Sequence, residues 1–192
     1  LGDVYKRQHV RRPPGELRRT IGYAGLDLAL YPNLSAREHL EFAAAMRGVP
    51  GDGAEATLDF VGLSRAANQA VGEYSTGMRA RAKLALAIQA NPAVLLLDEP
   101  TAALSKSEAE RLFVMMGNLR DEGMGIIFVS HRLDEIFRVS DRITILRDGK
   151  NVATHRICDV TQQEVVRLMV NRDVTYEIAD TGELKRSEVL LE

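Results

Sequence analysis

The chain has 192 residues, 45% of them hydrophobic, enough for one domain or a little more around a real core. A net charge of −2 removes any global electrostatic case for nucleic acid, and 5% aromatics without tryptophan leave little to stack bases on. One cysteine, Cys158, excludes an internal disulfide and fits a reducing compartment, and no apolar run nears the roughly 18 residues of a bilayer span.

In chain order, the first eight residues come out of fold reasoning. "DVYKRQ", Asp3 to Gln8, matches the in-frame translation of a sequencing-library adaptor, so Leu1 to Gln8 are read as a scar. Ser35 and Glu38 form the first of three Ser/Thr-x-x-Glu helix starts, followed by the apolar stripe Leu40, Phe42, Met46. "RGVPGDG", Arg47 to Gly53, then breaks the helix with glycine and proline. The stretch 31–90 shows no strand-like run and is expected to be mostly helical. Ser75 and Gly77 stand at the start of a further helix.

Three short apolar runs follow: Val94 to Leu97, Ile126 to Val129 and Ile143 to Leu146. Runs apolar on both faces suit parallel strands with helices on each side, and their alternation with helices predicts an α/β sheet. Between them, Ser105 and Glu108 start a helix bearing Leu112, Phe113, Met116 and Leu119. Thr161 and Glu164 start another with Val165, Leu168 and Met169. No repeat and no low-complexity tract is present.

The chemistry concentrates in "AVLLLDEPTAALS", Ala93 to Ser105, where an apolar run stops at two carboxylates and a proline. In an open parallel sheet, ligands bind at the carboxyl ends of the strands, so Asp98 and Glu99 face the crevice. Asp98 there can hold magnesium, usually through water, and Glu99 can orient an attacking water. The bland alternative is a pair of surface charges that begin a turn. At Ser75 and Gly77, free backbone N–H groups and the helix dipole favour an anion.

The longer strings carry a resemblance. "LLLDEPTAAL" resembles the Walker B motif and D-loop of the ATP-binding cassette family. "YSTGMRARAKLALAIQANP", Tyr74 to Pro92, resembles its signature loop and helix, with Thr76 and Met78 replacing glycine and glutamine. "IIFVSHRLDEI", Ile126 to Ile136, is similar to the strand and switch histidine, and "IGYAGLDLALYPNLSAREHL" to the Q-loop and the entry to the helical subdomain. The glutamine of that loop is replaced by Leu26, which cannot ligate a cation. Ser105 stands where many D-loops carry aspartate.

The resemblance implies a P-loop NTPase-type parallel sheet with a helical subdomain over about 31–90, and an ATPase that uses Mg2+. Glu99 and His131 are its expected catalytic residues and Asp98 its magnesium residue, while Ser75, Thr76, Gly77, Met78 and Ser105 would meet ATP bound to a partner cassette. The last third, "HRLDEIFRVSDRITILRDGKNVAT" and "DVTQQEVVRLMVNRD", resembles the first cassette of carbohydrate importers, which carry two in tandem. The implied layout is a partial cassette over 9–155, then a C-terminal helix and a linker over 156–192 toward a second cassette. The implied partners are that cassette, transmembrane permease subunits and a substrate-binding protein, at the cytoplasmic face of the membrane, with no nucleic acid.

The G-x-x-x-x-G-K-[ST] loop that cradles phosphates is not in this sequence; the only Gly-Lys pair, Gly149-Lys150, falls in an expected turn. The chain is therefore expected to be truncated before that loop, and inactive by itself. An exporter-type ATPase, favoured by the signature string, and a non-catalytic cassette, favoured by Leu26, stand as alternatives.

Overall fold

Strand β2 (Val94–Asp98) lies between β1 (Ile21–Gly25) and β3 (Gly125–Val129) in the computed structural model, which describes residues 20–170. Both pairings are parallel, and the register sets Gly25, Asp98 and Val129 side by side at the carboxyl end. The described residues divide into two compact units, the first ending at Ser140 and the second beginning at Asp141. The adaptor-like Leu1–Gln8 and the end of the expected linker, 171–192, lie outside the described residues.

One face of the sheet carries Ala24, Leu95 and Leu97, all buried. Helix α3 (Thr76–Ile88) packs there against β1, and helix α4 (Lys106–Asp121) against β3. The approach of α3 is close: a Cβ on Gly22 would come 2.2 Å from the carbonyl oxygen of Ala87. Only glycine fits at that crossing. The expectation of helices on both faces is not met among the described residues, because Ile21, Ile127 and Val129 on the opposite face are exposed.

The helical part forms as the sequence requires. Helix α1 (Ala36–Arg47) begins with a complete capping box: the Ser35 side chain accepts from the Glu38 amide, and Glu38 reaches back to the Ser35 amide. It ends at Gly48, whose φ of 63° is the left-handed C-terminal stop favoured by glycine. Helix α2 (Ala54–Phe60) follows the Gly/Pro break, and two 3-10 turns lead to α3. Leu40, Leu58, Val61, Leu63, Val71 and Tyr74 fill the space between these helices. Polar ties fix α1 to α3: Arg47 donates to the Leu86 carbonyl at 2.8 Å and Gln89 to the Leu40 carbonyl at 2.6 Å. His39, buried in α1, donates from Nδ1 to Ser35 O and accepts the Tyr31 amide at Nε2, a structural role that uses both ring nitrogens.

The second unit corrects one reading. Ile143–Leu146 belongs to β4 (Arg142–Arg147), which pairs antiparallel with β5 (Lys150–Arg156) and does not join the parallel sheet. Its burial alternates, with Ile143 and Ile145 inside and Leu146 exposed, as a strand covered on one face requires. The connecting residues Asp148 and Gly149 both have positive φ, 50° and 71°, which suits a tight two-residue hairpin. Helix α6 (Gln162–Val170) packs on the hairpin through Val165, and Arg147 donates to its Leu168 carbonyl at 3.0 Å. No helix among the described residues is long and apolar enough to cross a membrane.

All three Ser/Thr-x-x-Glu boxes are formed, and in each the cap residue holds the glutamate below its ordinary value of 4.5. A carboxyl depressed on folding stabilises above its unfolded value, and that stability is lost as pH falls through the folded value. Helical circular dichroism should therefore stay level from pH 7 to pH 5 and decline once the pH drops below 4.5. The Ser35→Ala variant should melt roughly 4 °C lower at pH 7. Its deficit should shrink at acid pH, where the wild-type box is itself protonated; thermal melts at the two pH values measure both effects.

Candidate functional site at the carboxyl end of the sheet

The parallel ladder runs one residue past β2. The Glu99 amide donates to Val129 O at 2.9 Å, with Glu99 at a φ of 48°, and Pro100 then turns the chain out of the sheet. The turn is held by Ala102 N–H to Glu99 O and Leu104 N–H to Thr101 O. Beyond β3, Ser130 and His131 lead into α5 (Leu133–Val139).

These two strand ends bring the expected catalytic pair together. His131 Nδ1 lies 2.9 Å from Glu99 Oε1, although 32 residues separate them in sequence. The histidine side chain is 73% exposed and the glutamate largely covered. Glu99 Oε2 is buried without a protein partner, so this carboxylate keeps an acceptor site for a ligand-side proton.

Asp98 ends β2 beside Gly25 and Val129. Tyr23, two residues before the end of β1, donates to Asp27, and that carboxylate, with Asp98 more distant, pushes the phenol up to about 12. No cluster of three His, Cys, Asp or Glu side chains among the described residues could hold a metal alone. The single strand-end carboxylate of Asp98 fits an ion that arrives on phosphate oxygens, which is how magnesium is usually held.

The expected anion-binding turn opens α3. Ser75 is the N-cap, its hydroxyl accepting the Met78 amide at 3.1 Å. Thr76 is the first helical residue and Gly77, the second, is buried. Ser105 is the N-cap of α4: its Oγ accepts from the Glu108 amide and donates to Glu108 Oε2 at 2.7 Å. Sequence reasoning missed that Glu108 also reaches the signature turn. A Cβ on Gly77 would lie 2.0 Å from Glu108 Oε1, and the Gly77 amide joins Ser105 in holding the Glu108 carboxyl low. One side chain thus joins the signature turn to the helix after the D-loop.

Lys83 was missed as well. From the third turn of α3, its ammonium donates to Gly25 O at 2.9 Å and Leu26 O at 3.2 Å, and burial pushes its pKa down. It clamps the chain where β1 ends. No local pattern marks such a lysine, because its partners are backbone carbonyls 57 and 58 residues away. Leu26 itself is 61% exposed. With Gly25, Thr76, Lys83, Glu99 and Leu104 it lines a cavity of about 170 Å3 next to the Glu99–His131 contact.

Three parallel strands, with a helical subdomain inserted between β1 and β2, match the P-loop NTPase fold of ATP-binding cassettes. An ATP-binding cassette of an ABC transporter in its ADP conformation shares that fold, with a TM-score of 0.71 at 22% identity over 82% of this chain and 71% of that one. The ABC transporter family profile matches residues 2–102, just over half of the chain, and the chain belongs to that family. It is 36% identical to a ribose import ATP-binding protein of Rubrobacter xylanophilus over 93% of this chain and 37% of the relative. It is 41% identical to the ribose import ATP-binding protein of Bacillus subtilis over 64% of this chain and 25% of that one. The chain therefore spans from a quarter to little more than a third of these curated relatives.

The Gly77–Glu108 approach makes a double-mutant test. In a Glu108→Ala background, Gly77→Ala should raise the melting temperature, since alanine is the better helix former. In the wild-type background the new methyl must push Glu108 off its cap, so the same substitution should give no gain or a loss. Equal effects in the two backgrounds would remove the contact.

Proposed function

We propose that this chain is the ATP-hydrolysing part of an ABC transporter that imports a carbohydrate, at the cytoplasmic face of the membrane. The single observation that carries it is the Glu99–His131 contact at the carboxyl end of the parallel sheet. The names of the relatives support import of a sugar over the exporter alternative. In this reading residues 9–155 serve as cassette and 156–192 lead toward a second one. Permease subunits and a substrate-binding protein complete the assembly.

Each residue has a task in that reading. The free Oε2 of Glu99 accepts a proton of the attacking water and aims its oxygen at the γ-phosphate. His131 meets the Glu99 carboxylate through Nδ1, leaving Nε2 as the ring nitrogen available to phosphate. Asp98 would hold Mg2+ carried by the nucleotide, which would supply charge to offset the phosphates. Ser75, Thr76, Gly77 and Met78 offer a helix N-terminus to the ATP of a partner cassette, with Ser105 at the same edge. The Met78 amide is bonded to Ser75 within the chain and the Gly77 amide faces the Glu108 carboxylate, so closure exchanges an internal oxygen for a phosphate oxygen. Catalysis is then positioning and charge stabilisation, without a covalent intermediate.

Leu26 favours a second reading, a cassette that binds partners without turnover, because an exposed leucine beside Glu99 offers the ion and water no ligand. One experiment separates the two. ATP hydrolysis by the full-length protein should fall by about 100-fold in Glu99→Gln, in line with loss of a general base. No hydrolysis in the wild type supports the non-catalytic cassette, and a rate untouched by the substitution removes Glu99 from its role.

A further inference from the structure

The Glu99–His131 contact cannot hold itself in place. Its histidine is exposed, and an exposed ion pair or hydrogen bond is weak because water competes for both partners. Two loops must nevertheless stay in register for the pair to meet: the turn after β2, 99–104, and the segment before α5, 130–132.

A second bridge between the same loops is buried. Thr101, fully buried in the first loop, donates from Oγ1 to Glu135 Oε2 at 2.5 Å. Glu135, in the first turn of α5 with its side chain only 5% exposed, binds Arg132 Nη1 through its other oxygen at 2.7 Å. Both carboxylate oxygens are thus engaged, one by the residue two places after Glu99 and the other by the residue next to His131. A buried carboxylate persists only with its partners in place, so this arrangement resists drift as the exposed pair does not. Thr101 lies in "EPTAAL" and Glu135 in "HRLDEI", so the bridge joins the two strings that also supply the reacting groups.

We propose that Glu135 and Thr101 are positioning residues that hold the D-loop turn against the switch-histidine segment and so set the Glu99–His131 geometry. The proposal rests on the ATPase reading for its kinetic consequence, and on the fold alone for its structural one. Thr101→Val keeps the shape and removes the hydroxyl, Thr101→Ser keeps the hydroxyl, and Glu135→Gln removes the charge that Arg132 meets.

The test uses the full-length protein and two readouts. Hydrogen exchange is followed at Ala102 and Leu104, bonded within the first turn, and at Ile136, bonded to Arg132 O at the start of α5. In Thr101→Val and Glu135→Gln these amides should exchange about tenfold faster while amides of β2 keep their rates, and Thr101→Ser should match the wild type. In ATP hydrolysis the same two variants should lose about tenfold in kcat with KM within about twofold, and serine should again restore the rate. Unchanged exchange in Thr101→Val overturns the proposal. So does a uniform rise across the sheet with a matching fall in melting temperature, which marks a merely structural bond, or a serine variant as impaired as valine. Absence of hydrolysis in the wild type counts against the ATPase reading alone, and the exchange data still decide the bridge.

Discussion

The parallel register that aligns Gly25, Asp98 and Val129 is the constraint on which the rest of the site depends. A strand slip by one residue would turn Asp98 to the opposite face and pull Glu99 away from Val129 O. Packing resists such a slip: Leu95 and Leu97 are sealed under α3 and α4, and Gly22 fits the backbone of α3 with no room for a methyl. Sheet geometry therefore brings the two strand ends together, so that a carboxylate and an imidazole 32 residues apart can come within hydrogen-bond distance.

Around that centre the chain ties its functional segments together with single side chains. Lys83 holds the end of β1 from α3, Glu108 spans from α4 to the signature turn, and Glu135 joins two strand-end loops. Each tie crosses between segments that the family resemblance assigns to different tasks. The polar ties between α1 and α3 extend the same construction into the helical part, making α3 the element common to the subdomain and the sheet.

Much of this was legible because it is local. Capping boxes are read within four residues, and Ser35, Ser105 and Thr161 all cap as their sequences require. Strand β2 announces itself as a buried apolar run ending in charge. Strand β1, "IGYAG", does not, since two glycines dilute its apolar signal and exist for close packing that only tertiary structure reveals. The β4–β5 hairpin was masked by the polarity of "KNVATHR", whose strand character comes from pairing with β4. Its marker was present in Asp148-Gly149, a dipeptide suited to paired positive φ. The strand-end positions of Asp98, Glu99 and His131 were legible through long strings, whereas Lys83, Glu108 and Glu135 meet partners that no spacing rule connects to them.

A glutamate at a φ of 48° sits in a region that side chains other than glycine, asparagine and aspartate seldom occupy, at a cost of about 1 kcal/mol or a little more. Glycine would relieve that cost but remove the carboxylate, so backbone strain and the role proposed for Glu99 favour opposite residues at one position. Where the role proposed for Glu99 is not needed, that backbone favours glycine or asparagine in its place, with Asp98 and Pro100 under no such strain.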